Sequence, residues 1–179
     1  MAEPLRVVES RRLRLVAASL SVVTSDLKGR AELAEALKVG VPDNWPPDLF
    51  DRRAMEFAQR ELLIASVRGW SFWYLVLKSP KDEQLVGICG FKGRPDPSGS
   101  VEIGYSILSQ FRNRGYATEA VARLVMWAFS HSTVSEVCAE TMPHLGQSIR
   151  VLQKNGFRHT GPGSERGVIR YAVRREALN

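Results

Sequence analysis

The chain has 179 residues, 44% of them hydrophobic and 25% charged, with a net charge of +6. That length suits one domain over residues 1–179, and the composition is that of a folded globular protein rather than a disordered one. No stretch approaches the ~18 uncharged apolar residues of a membrane span, and Met1-Ala2-Glu3-Pro4-Leu5-Arg6 lacks the succession of a secretory signal, so a cytoplasmic location is expected.

Leu13 to Val16 alternates apolar and basic side chains and predicts an edge-like first strand. From about Ser19 to Lys38 the pattern is helical, with a stop at Gly40. The turn-rich Val41-Pro42-Asp43-Asn44-Trp45-Pro46-Pro47 follows. Asp48 to about Ser66 then predicts a helix whose apolar stripe is Ala54, Phe57, Ala58, Leu62 and Ala65. After Gly69 the character changes to strands. Ser71–Leu77, Gln84–Phe91 and Val101–Leu108 are separated by turns at 80–83 and 95–99, the pattern of an antiparallel meander. A helix with Ala117, Ala120, Val121, Leu124 and Ala128 on one stripe comes next. Then follow a strand at Val134–Met142, a short helix at Gln147–Asn155 and a last strand at Val168–Arg174. Gly161-Pro162-Gly163-Ser164 reads as a loop. The order β, helices, βββ, α, β, α, β predicts a mixed α/β (α+β) domain and not a Rossmann repeat.

Cys89 and Cys138 lie far apart in apolar stretches and read as buried reduced thiols; with His131, His144 and His159 scattered, no metal site is expected. The positive charge favours an anionic ligand or partner. The arginines are spread over many elements instead of one helix face, which counts against a nucleic-acid-binding module. Walker, dinucleotide, zinc-protease and nucleophile-elbow motifs are all absent from the sequence.

Phe111-Arg112-Asn113-Arg114-Gly115-Tyr116-Ala117 stands between a strand and a helix. A helix N-terminus offers free N–H groups and the positive end of its dipole, so it can hold phosphate without any side chain. Gly115 permits a left-handed backbone close to an anion, and Arg112 and Arg114 can add charge-assisted hydrogen bonds. The alternative is a solvated basic connection in which glycine merely fits the turn.

Arg112-Asn113-Arg114-Gly115-Tyr116-Ala117 fits Gln/Arg-x-x-Gly-x-Gly/Ala, and Ser148-Ile149-Arg150-Val151-Leu152-Gln153-Lys154-Asn155-Gly156-Phe157 fits Ser-x-x-Val-Leu-x-Lys-x-Gly-Phe. In this order the chain resembles the GNAT-type N-acetyltransferase superfamily over Arg12 to about Arg175. With Trp45-Pro46 and Gly90-Phe91-Lys92-Gly93, it is most similar to the branch of ribosomal-protein N-terminal acetyltransferases. The resemblance implies the GNAT fold: a central, mostly antiparallel sheet with splayed strands four and five, flanked by helices. It implies acetyl-CoA as co-substrate, its pantetheine arm lying between those strands on backbone groups of Ile107 and Leu108. The pyrophosphate would lie on Arg112, Asn113, Arg114, Gly115, Tyr116, Ala117 and Thr118. The acceptor would be an amine, either a peptide N-terminus or a small molecule, and the protein a monomer or homodimer without nucleic-acid or membrane partners.

An amine must lose a proton before it attacks a thioester, and a carboxylate acting through water can take it. Glu102, on the strand that leads to the turn, is the first candidate base and Glu140, on the next strand, the second. The resemblance gives Ser148 a role in holding or protonating the coenzyme thiol; the alternative is a helix N-cap. Trp45, Trp73 and His144 are candidates to line the acceptor pocket. The chain carries Leu152 where many members place a tyrosine acid, and Leu145 where asparagine is frequent. A non-catalytic coenzyme-binding member of the same fold is therefore the alternative to an enzyme.

Overall fold

The computed structural model describes residues 5–178, so Met1 to Pro4 of the N-terminal stretch discussed above lie outside the described residues. Strands β1 (Val7–Glu9) and β2 (Leu13–Ala17) open the chain as an antiparallel pair. The sequence places an edge at Leu13–Val16, but β1 takes that position and β2 is interior, between β1 and β3. A strand of three residues is too short to show periodicity.

The expected helix over 19–38 is two helices. Ser19 caps α1 (Leu20–Lys28), its side chain accepting from the Val22 N–H at 3.3 Å. Gly29, at φ +156°, breaks the run, and α2 (Arg30–Leu37) restarts after it. Helix α3 (Arg52–Glu61) begins at Asp51, which accepts from the Ala54 N–H at 2.9 Å; it is shorter than the periodicity suggests. Its buried face is Met55 and Ala58, while Phe57 points outward.

Strands β3 (Phe72–Leu77), β4 (Gln84–Phe91) and β5 (Ser100–Ile107) form the expected meander. Helix α4 (Tyr116–Phe129) follows, burying most of its expected stripe, and β6 (Glu136–Thr141) and α5 (Gly146–Lys154) lie close to their expected bounds. The last hairpin is β7 (Arg158–Pro162) and β8 (Ile169–Arg174). Gly161 and Pro162 thus end a strand that the sequence reading assigns to a loop; β7 is an outer edge, where a proline removes no ladder bond that is needed.

The strand order is β1-β2-β3-β4-β5-β6-β8-β7, antiparallel except where β5 meets β6. One face packs on α4 and α5 through Leu15, Trp73, Leu75, Ile103, Leu124 and Leu152. The other packs on α1, α2 and α3 through Val16, Tyr74, Leu85, Val23, Leu33 and Met55. Each such side chain contributes roughly 1.5–3 kcal/mol of hydrophobic stabilisation, so the two layers hold the sheet from both sides. Asp26 is buried in the second layer, accepting from Trp45 Nε1 and from the Tyr74 hydroxyl, each at 2.9 Å. Burial pushes its carboxyl above the usual range against the two hydrogen bonds. No helix among the described residues is long and apolar enough to cross a membrane.

Candidate active site

The parallel pairing of β5 with β6 stops after three positions, Ser100–Glu102 against Glu136–Cys138. Beyond it, Ile103–Ile107 pairs only with β4, and Ala139–Thr141 only with β8. The sheet is therefore split by a gap with unpaired backbone along one side. These are the strands four and five of the expected fold, displaced by one in number because β1 precedes them.

Strand alternation says which backbone groups face the gap. The Glu102 carbonyl accepts from Lys92 N–H on the β4 side, and Leu108 N–H donates to the Val86 carbonyl on that same side. Even-numbered residues between them therefore bond toward β4, and the N–H and C=O groups of Tyr105 and Ile107, beyond the last pairing at Glu102, point into the gap. This corrects the expectation for Leu108, whose N–H is bonded to Val86 and whose carbonyl accepts from Phe111 N–H at 2.9 Å. Ile107 keeps a gap-facing N–H, while its carbonyl accepts from Arg112 Nε at 2.9 Å.

At its open end the gap meets the turn before α4. Asn113 (φ +60°) and Gly115 (φ +80°) both take left-handed backbone, which turns the chain sharply into the helix. No side chain caps the first turn of α4, so the N–H groups at Tyr116, Ala117 and Thr118 are presented outward. An anion fits this cradle. The two arginines differ: Arg112 pairs with Asp48 at 2.6 Å, whereas the Arg114 guanidinium lies 6.0 Å from the Phe111 ring centre.

Sequence reasoning missed Arg12 and Ser10. Arg12 donates through Nε and its backbone N–H to the Glu119 carboxylate at 2.7 and 2.6 Å, and through Nη1 to the Arg114 carbonyl at 2.9 Å. Ser10 Oγ adds a bond to Glu119 at 2.7 Å. The β1–β2 hairpin thereby props the anion turn from behind. Burial raises the Glu119 carboxyl, but the bonds from Arg12 and Ser10 outweigh it, and its pKa is lowered overall. No local signal joins residues so distant in the chain.

Glu102 sits at the root of the gap on the sheet face opposite Ile103, half-buried and ion-paired with Lys92. On the same face Gly104 has open space: a Cβ there would meet nothing within 4 Å. Glu140 accepts from Ser164 Oγ at 2.7 Å and Ser164 N–H at 2.8 Å, closing the β7–β8 loop. Those bonds, the side-chain one foremost, lower its pKa. Ser148 is not an N-cap, since Leu145 holds that position and Ser148 lies within the first turn of α5. Its Oγ is 3.0 Å from the Tyr105 hydroxyl. Trp45 and Trp73 are both core residues rather than pocket walls. Trp45 is bonded to Asp26, and Trp73 is wholly buried, its Nε1 donating to the Gly69 carbonyl at 3.0 Å. His144 is exposed in the loop between β6 and α5.

Residues 20–158 match the family model described as an acetyltransferase (GNAT) domain. The chain is 31% identical over 153 residues to the uncharacterized N-acetyltransferase YjdG of Bacillus subtilis (strain 168), covering 84% of this chain and 89% of that protein. Among solved structures, RimL, the ribosomal L7/L12 alpha-N-protein acetyltransferase, in complex with coenzyme A superposes with a TM-score of 0.68 at 17% identity, covering 96% of this chain and 99% of that one. The microcin C7 self immunity acetyltransferase MccE in complex with acetyl-CoA and AMP gives 0.64 at 14% identity, over 92% and 93%. At such identities the superpositions speak to the fold, and the family match rests on the sequence. The chain belongs to the GNAT acetyltransferase family and is an acetyl-CoA-dependent acyltransferase.

Proposed function

We propose that residues 1–179 act as one N-acetyltransferase domain that moves the acetyl group of acetyl-CoA to a primary amine by direct attack in a ternary complex. The observation that carries this reading is the gap itself, which has unpaired backbone on one side, an uncapped helix N-terminus at its mouth and open space at Gly104. Acetyl-CoA supplies an activated acyl group whose sulfur leaves as thiolate. The gap-facing groups of Tyr105 and Ile107 suit the peptide-like bonds of a pantetheine arm. The turn from Arg112 to Thr118 suits its pyrophosphate, with Arg114 the freer of the two cations to move onto it.

The amine would approach across the Gly104 face. Glu102 borders that opening and would take the amine's proton, directly or through water. Glu140 is less suited, because its lowered pKa makes it a weaker base and its oxygens already hold Ser164. A protein N-terminus, as for RimL, and a small-molecule amine both fit these features.

The test is thiol release from acetyl-CoA across a panel of N-terminal peptides and small amines, with mass spectrometry of the acceptors. Acceptor-dependent release matched by acetylated amine is expected. Coenzyme binding with no amine acetylated across the panel would overturn the enzymatic reading and leave a coenzyme-binding protein.

A further inference from the structure

Tyr105 lies on the stretch of β5 that has lost its β6 partner, and its side chain packs on the α4–α5 side of the sheet. Its hydroxyl oxygen is 3.0 Å from Ser148 Oγ and 3.1 Å from the Ser148 carbonyl oxygen. Ser148 belongs to α5, which follows β6. The contact thus ties β5, on one arm of the split sheet, to the helix that follows the other arm, where backbone pairing between the strands has ended.

Each hydroxyl has one hydrogen and two acceptor lone pairs, so two arrangements satisfy these distances. In one, Tyr105 donates to the Ser148 carbonyl and Ser148 donates to the Tyr105 oxygen. In the other, Tyr105 donates to Ser148 Oγ, and the Ser148 hydrogen is free to turn elsewhere. An anion in the gap favours the second, because a hydrogen bond to a charged acceptor is stronger than one to a neutral hydroxyl. We propose that Tyr105 is a positioning residue for Ser148: by donating to Ser148 Oγ it lets the Ser148 O–H donate to the coenzyme's sulfur when that sulfur is a thiolate. The inference rests on the reading of the gap as the acetyl-CoA site.

The change requires only rotation about two C–O bonds; no covalent bond is made or broken. Burial, opposed by the Ser148 bond and reinforced by the neighbouring Cys89, pushes the Tyr105 hydroxyl up to about 12. It therefore keeps its proton and serves as a donor rather than as a proton source. Cys89, facing it from β4, is wholly buried, and that burial raises its thiol as well. Leu152 can donate nothing, so the pair offers the polarity at the sulfur that this position lacks.

The test is a pH titration of coenzyme A bound to the full chain, read by the ultraviolet absorbance of the thiolate. In the parent, the bound thiol should titrate below free coenzyme A. Tyr105→Phe and Ser148→Ala should each make it about tenfold less acidic, with binding at neutral pH little changed. The double variant should match the single ones, because both act through one donor. Fluorotyrosine introduced at position 105, a stronger donor of nearly the same shape, should shift the midpoint the opposite way. A midpoint indifferent to both changes at position 105, or additive losses in the double variant, would overturn the role of Tyr105. Failure of the parent to bind coenzyme A would instead overturn the reading of the gap, and the inference with it.

Discussion

Gly115 has a left-handed backbone, and a Cβ there would meet Arg12 Nη2 at 3.3 Å. A β-branched residue is doubly unsuited, since left-handed backbone costs it roughly 1–2 kcal/mol and the Arg12 prop must shift. Gly115→Val is therefore expected to keep the fold but abolish the rise in melting temperature that coenzyme A gives the parent. An undiminished rise would remove the turn from the binding site. Glu102 lies at the root of the gap and is not needed to hold the turn. Glu102→Gln should thus lower kcat by tenfold or more, on the order of a lost general base, with little change in coenzyme affinity. Intact turnover with an identified acceptor would make Glu102 a partner of Lys92 and nothing more. The glycine was legible in the sequence because a strand, a glycine and a helix in succession have one common geometry. The correction at Leu108 was not, since it depends on which side of β5 each carbonyl faces, and periodicity alone does not give that phase.

Among the elements, the β1–β2 hairpin and α4 are coupled through Glu119, which gathers bonds from Ser10 Oγ, Arg12 N–H and Arg12 Nε. The folded-state pKa of Glu119 is depressed, so its contribution is fully present above the unfolded value of about 4.3 and is lost as pH falls through the folded value. Glu119→Gln should accordingly lower the melting temperature at neutral pH, and the difference from the parent should shrink on acidification below pH ~4. A difference independent of pH would mean that the carboxylate's charge is irrelevant to the coupling. Elements with clear punctuation were legible: β4 matches its expected bounds, α5 nearly does, and α4 buries Ala120, Val121, Leu124 and Ala128 of its expected stripe. Short or interrupted ones were not. β1 has three residues, and Gly29 interrupts a stretch that is helical on both sides. In α3 the expected stripe holds at Ala58 and Leu62, with Ala54 partly buried, whereas Phe57 and Ala65 are exposed and Met55 takes a buried position instead.

At the scale of the molecule, β1–β5 and β6–β8 form two blocks of sheet that share backbone pairing only at Ser100–Glu102 and Glu136–Cys138. The order of elements predicts the mixed sheet and the resemblance implies its splay; α4 and α5 pack on the face that carries Ile103, α5 through Leu152. A ligand that lies along the gap would complete the missing ladder, and strand alternation makes its footprint specific. The amides of Tyr105 and Ile107 face the gap, whereas those of Gly104 and Ser106 already face β4. Native-state hydrogen exchange should therefore show coenzyme A slowing Tyr105 and Ile107 directly. Gly104 and Ser106 should gain only the protection common to the whole fold. That common part follows from mass action: at a coenzyme concentration one hundred times Kd, global unfolding is suppressed about 100-fold, or ~2.7 kcal/mol. The excess at Tyr105 and Ile107 above this level is the signature of an added strand. Equal protection at odd and even positions would place the coenzyme elsewhere, even if it stabilised the protein by the full amount.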